Sequence, residues 1–288
     1  FQQAIDKDRN YGPAYVGLAN CYLQMGSFSR ISPEQAHLKA KDAVTTALRL
    51  DNTLAGAHST LADLKFGYEW DWPGAEQEYR RALELNRHAA FIHQGYASYL
   101  IAMGRAQEAI TESKQALVLD PLSINLNSDL GFVLYLARQY DQAIEQLRQT
   151  SDMDTNFLWA HRNLGLAYEQ KKMYKEAIAE FQKVQDLSQG QAGEWALGHA
   201  YAVAGRRDEA LKIIEKSKER SKRQFSAAFK LAVIYAGLSE KDQAFEWLEK
   251  AFVERDPNMK NLKVDPWLDN LRTDPRFTDL LRRIKLAT

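Results

Sequence analysis

A chain of 288 residues, 45% hydrophobic and 26% charged, has the material for a packed core and is not a disordered tail; its length suits two domains or one repeat array. The 38 basic residues balance 38 acidic ones, so no global field draws the chain to nucleic acid or to an anionic membrane. Cys21 is the only cysteine, which excludes disulfide stapling and a four-cysteine metal site and suits a reducing, cytoplasmic setting.

In chain order, Phe1 and Ala4 fit the tail of a second helix whose beginning is missing, so residues 1–12 read as the end of an incomplete unit. The chain starts at Phe1 rather than Met, and an upstream segment is expected. From residue 13 to 255 a small residue then recurs at Ala40, Ala75, Ala109, Ala143, Ala177, Ala210 and Ala244, with spacings of 35, 34, 34, 34, 33 and 34. In register with it run Leu18, Leu61, Tyr96, Leu130, Leu164, Leu197 and Leu231, each followed at once by Ala or Gly. Bulky residues commonly follow both columns four positions later, such as Tyr168 after Leu164 and Phe181 after Ala177, and that interval is helical. The pattern predicts seven antiparallel helix pairs in which small residues let helix axes approach closely.

Two irregularities interrupt the period. The first unit carries nine extra residues between Gly26 and Ala40, with Ser32-Pro33-Glu34-Gln35 as a capping box for an overlong helix. In the second, Glu69-Trp70-Asp71-Trp72-Pro73 makes an aromatic turn one residue longer than the others. The longest apolar run, Leu130 to Ala137, falls far short of the roughly 20 residues that cross a bilayer, so no membrane contact is expected. Residues 256–288 hold Asp256-Pro257, Asp265-Pro266 and Asp274-Pro275, three starts of short helices. The last of these carries Phe277, Leu280, Leu281 and Ile284 at helical spacing, as a terminal cap should.

His161-Arg162-Asn163-Leu164-Gly165-Leu166-Ala167-Tyr168 followed by Ala177 and Phe181 resembles the tetratricopeptide repeat family. The family tryptophan is replaced in the seven units by Tyr15, His58, His93, Asn127, His161, Glu194 and Ala228. The resemblance implies an all-α superhelix of about seven helix pairs with a capping segment, acting as a protein-binding scaffold. The aromatic turn, the overlong first-unit helix and the stretch Ala244 to Phe277 are similar to repeat regions of large bacterial regulators. That likeness implies an upstream winged-helix DNA-binding or serine/threonine kinase domain.

No catalytic constellation, phosphate loop or metal-ligand spacing is present, and neither an enzyme nor a cofactor is expected. His58, His93 and His161 fall in the column where the repeat places an aromatic ring, which reads as packing. The basic stretch Arg206 to Arg223 interleaves acidic residues and lacks aromatics for base stacking, so it reads as a solvated helix rather than a nucleic-acid site.

On the first helices, the face left free by the packing columns holds Phe91 and Ile101, then Phe132, Tyr135 and Leu136, then Trp159, Arg162 and Leu166. It continues with Trp195 and His199, then Phe229 and Val233. This apolar stripe predicts a groove for an apolar or aromatic-containing segment of another protein, with Trp159 and Trp195 as anchors. The alternatives are that these rings pack between adjacent helices, or that the array is only a packing or self-association module. Trp70 and Trp72 form an alternative surface, or a staple between helix pairs. Uncovered Phe1 and Ile5 predict end-to-end self-association.

Overall fold

The computed structural model describes residues 1–27, 30–221 and 228–286. Among the described residues every regular element is helical and no strand occurs, as the spacing of the apolar columns requires. A short α1 (Gln2–Lys7) precedes seven pairs: α2 and α3 (Gly12–Ser27, Pro33–Leu50), α4 and α5 (Ala55–Leu64, Trp72–Leu85), α6 and α7 (Ala90–Ala102, Ala106–Leu119), α8 and α9 (Ile124–Leu136, Tyr140–Met153), α10 and α11 (Leu158–Gln170, Tyr174–Leu187), α12 and α13 (Glu194–Val203, Arg207–Ser221), α14 and α15 (Ala228–Gly237, Lys241–Val253). The last helix is α16 (Pro275–Arg283).

The small column sets the separation within a pair. A β-carbon on Gly165 would stand 2.5 Å from the Phe181 ring, and one on Gly131 2.4 Å from Leu147, so the second helix packs where a side chain would otherwise be. Each first helix, from α2 to α14, also touches the next first helix, which joins them into one inner wall. α1 has the geometry of a second helix's last turn. The Asp8 N–H donates to the Ala4 carbonyl at 2.9 Å, as Asp51 does to Ala47 at 2.9 Å, and the Phe1 ring lies against Gly17 as Phe181 lies against Gly165.

Ser32 caps α3 by accepting from the Gln35 N–H at 3.2 Å. Residues 28 and 29 of the first-unit insertion lie outside the described residues. The extra residue of the aromatic turn is absorbed where α4 widens into a π-helical turn, Lys65–Glu69, that ends on Trp70 in the left-handed region with φ 55°. Lys222 and Arg223 of the basic stretch lie outside the described residues, and Arg206 pairs with Glu209 at 2.8 Å.

Beyond α15 the chain turns inward. Two 3₁₀ turns, Pro257–Asn261 and Pro266–Leu271, are capped by Asp256 and Asp265 and run along the inner wall. Lys260 lies 4.9 Å from the Phe66 ring, Arg138 holds Asp269 at 2.6 and 2.7 Å, and the Asn270 amide donates to the Ala236 carbonyl at 2.7 Å. Met259, Leu262, Leu268 and Leu271 are fully buried there. α16 packs against α15. Arg276 bonds Asp242 at 2.8 Å and Arg283 bonds Glu249 at 2.7 Å, both on α15, and the indole of Trp72 on α5 donates to the Ile284 carbonyl at 2.7 Å. The end of the chain is thereby fastened to the second pair.

Candidate functional site

The inward turn divides the stripe expected on the first helices. Ile101, Tyr135, Leu136, Leu166, His199, Phe229 and Val233 are buried. Residues 256–271 cover much of that part of the wall. Trp267 stacks on His199 at 4.2 Å and meets Trp195 edge-on at 5.1 Å, while the Asp256 carboxylate accepts from the Phe229 N–H at 3.4 Å. Elsewhere on the first helices the wall stays open: Phe91 is 53% and Trp159 47% exposed, and Phe132, Arg162 and Trp195 are half-buried.

Three of these five residues converge on Arg162, and Phe91 stands apart. The Arg162 guanidinium lies 5.5 Å from the Phe132 ring, 5.3 Å from Trp159 and 5.5 Å from Trp195, contributed by three successive first helices. All three distances are within reach of a cation–π attraction. Its Nε is buried without a hydrogen-bond partner among the described residues. Burial lowers the Arg162 pKa, and Tyr135, Asp265 and Asp129 oppose that shift through space.

Toward the other side of the wall the C-terminal segment is seated by opposite charges. Burial lowers the pKa of Lys260, and the carboxylates of Asp63 and Asp129 act against that shift. Burial raises both carboxylates; Asp63 accepts from the Tyr79 hydroxyl and Asp129 from the Gln94 amide. Farther along, burial raises Asp256 and lowers Lys230, and each partly offsets the other's shift. These groups retain charge partners in a buried setting that would otherwise penalise charge.

The alternative surface at Trp70 and Trp72 is not free, since the two are 3% and 5% exposed. Trp70 packs 5.4 Å from Phe252 and lies under the Arg255 guanidinium at 4.1 Å, and Arg255 also donates to the Tyr68 carbonyl at 3.1 Å. The turn staples distant parts of the chain rather than neighbouring pairs.

The tryptophan-replacing column performs a role that packing alone does not describe. His58, His93 and His161 place Nδ1 at 2.7, 2.6 and 2.6 Å from Glu78, Glu112 and Glu180 on their own second helices. Each Nε2 faces a carbonyl six residues earlier, at Asn52, Arg87 and Thr155, 2.9–3.0 Å away. Asn127 repeats the arrangement with the Pro121 carbonyl at 3.2 Å and the Gln146 amide at 2.9 Å. Each side chain clips the preceding loop to its own helix pair. No group of three or more metal-ligating side chains is found among the described residues.

Helix pairs, close-approach column and continuous inner wall define a tetratricopeptide-repeat solenoid. The tetratricopeptide repeat family model matches residues 129–192 and 196–259. The type IV pilus assembly protein PilF of Pseudomonas aeruginosa is 29% identical over 155 residues, which span 52% of this chain and 57% of that protein. Among solved structures, a tetratricopeptide repeat protein from Parabacteroides merdae aligns with a TM-score of 0.60 at 14% identity, covering 95% of this chain and 99% of that one. PilW, a widely conserved type IV pilus biogenesis factor, aligns with a TM-score of 0.60 at 17% identity, covering 77% and 97%. At such identities the structural likeness establishes the fold alone.

Proposed function

We propose that this chain is a non-catalytic scaffold that takes a segment of another protein on the open half of its inner wall, with its own C-terminal segment filling the other half. The observation that carries this reading is the exposure of Phe91 and Trp159 on the wall beside half-buried Phe132 and Trp195. Large aromatics left uncovered together mark interaction surfaces more often than chance scatter does. The name of its curated relative favours an assembly role over the regulator setting, which rests on resemblance of the repeats.

A photo-crosslinking residue at Phe91 should capture a partner in the source cell, while the same residue at Val118, 74% exposed on a second helix, should not. Equal capture at both positions, or none at Phe91, argues against groove use. Self-association through the first unit is the second reading, supported by Phe1 at 61% and Tyr11 at 50% exposure. Sedimentation of wild type beside Phe1→Ser tests it: dimers that weaken in the variant support it, and a monomer at every concentration removes it.

A further inference from the structure

Among the charged groups of the inner wall, Arg162 stands apart in being ringed by three aromatic side chains with its Nε enclosed. Asp63 and Asp129 accept hydrogen bonds, Asp256 and Asp265 cap the 3₁₀ turns, and Lys260 feels the carboxylates of Asp63 and Asp129 through space. The guanidinium of Arg162 forms no hydrogen bond or ion pair with any described residue, although it is half-buried and its Nε is shut off from solvent. A planar fork of five donors without an acceptor is an incomplete arrangement. The rings of Phe132, Trp159 and Trp195 fix the guanidinium from three sides without supplying that acceptor.

We infer that Arg162 is the anchor of a subsite for a carboxylate side chain carried between apolar residues in an extended segment of a partner protein. This rests on the scaffold reading above and adds to it the chemistry of the ligand. A carboxylate both supplies acceptors to the fork and neutralises a charge that burial penalises, which a neutral amide or carbonyl does only in part. Asp129 and Asp265 act on Arg162 through space without a hydrogen bond or ion pair to it, and their oxygens accept instead from the Gln94 amide and from the Trp267 N–H at 3.0 Å. Apolar neighbours follow from the surroundings: half-exposed Trp159 lies beside the subsite, and exposed Phe91 is two first helices away. At about 10 Å per helix the span from Phe91 to Trp159 is roughly 20 Å, or about six extended residues.

The test is fluorescence anisotropy of the whole chain with labelled, end-blocked octapeptides. One alternates phenylalanine with aspartate, a second replaces every aspartate by asparagine, and a third is the asparagine peptide with a free C-terminal carboxylate. The aspartate peptide should bind about tenfold or more tightly than its asparagine twin. Arg162→Met should abolish that preference, and Arg162→Lys should retain part of it, with circular dichroism and melting temperature confirming both folds. Trp159→Ala should weaken both end-blocked peptides alike. Equal binding of the twins, an undiminished preference in Arg162→Met, or no saturable binding of the aspartate peptide overturns the inference. Preferential binding of the free-terminus peptide also overturns it, by assigning the site to a chain end. Partner capture at Phe91 alongside a silent aspartate peptide would discard the carboxylate subsite and leave the scaffold standing.

Discussion

A histidine that faces a carboxylate on one side and a backbone carbonyl on the other holds two chain segments with one ring. His161→Ala leaves Glu180 and the Thr155 carbonyl without their shared partner, and should cost about 1–3 kcal/mol in denaturant unfolding. Glu180→Ala should cost a similar amount, and the double variant less than the sum, because both remove one interaction. The clip could have been read from the sequence, since Glu78, Glu112 and Glu180 follow their histidines by 20, 19 and 19 residues. The tryptophan column of the repeat points these histidines to aromatic packing, because that column lies on the first helix alone and the carboxylate partner lies on the second. Lys260 allows a pH test. Its removal leaves Asp63 and Asp129 more strongly raised, so the folded state of Lys260→Met holds extra protons at mildly acid pH. Stability of the variant should therefore fall as pH rises through the carboxylate range. Its melting temperature should trail wild type by more at pH about 7.5 than at about 4.5, where protonation relieves the loss.

At the scale of elements, the helix pairs were legible because their signals are local: a period of about 34 residues, intervals of four and caps such as Ser32 all lie within one unit. The path of residues 256–286 was not, because its fastenings join positions far apart in sequence. Trp72 meets Ile284 across 212 residues and Arg255 meets Tyr68 across 187, so no pattern within one unit records them. The same reason left the aromatic turn ambiguous between a partner anchor and a staple. Trp72→Phe removes one buried hydrogen bond and part of the buried ring, so it should cost about 1–3 kcal/mol and raise hydrogen exchange in α16 before other helices. Acid should loosen the start of the same helix. Bonds from the Arg276 side chain and N–H hold the Asp274 pKa at about 2, below its usual 3.8. The cap's contribution is complete above the usual value and is lost as pH falls toward about 2, while Asp274→Asn should remove that pH dependence from α16 exchange.

For the molecule as a whole, the question is whether the C-terminal segment is a removable occupant of the groove or part of the fold, and magnitude decides it. Met259, Leu262, Leu268, Leu271, Leu280 and Ile284 have no exposed surface, and Phe277 has 1%. At about 1.5–3 kcal/mol per buried large apolar side chain, an upper bound given the compact unfolded chain, their burial is comparable with the roughly 5–15 kcal/mol that separates a folded domain from its unfolded state. A partner cannot displace such a segment by competing for the wall, so the proposed binding is confined to the open half while the other half stays filled. A chain ending at Arg255 should consequently not behave as an unblocked receptor. It should lose cooperative unfolding, expose the Trp195 and His199 faces that Trp267 covers, and bind a hydrophobic dye. In the whole chain, amides of residues 257–271 should exchange only with global unfolding, at the same free energy as those of α14. Exchange of that segment well before α14, together with a truncated chain that melts cooperatively and binds a groove ligand more tightly, would instead make it a releasable plug.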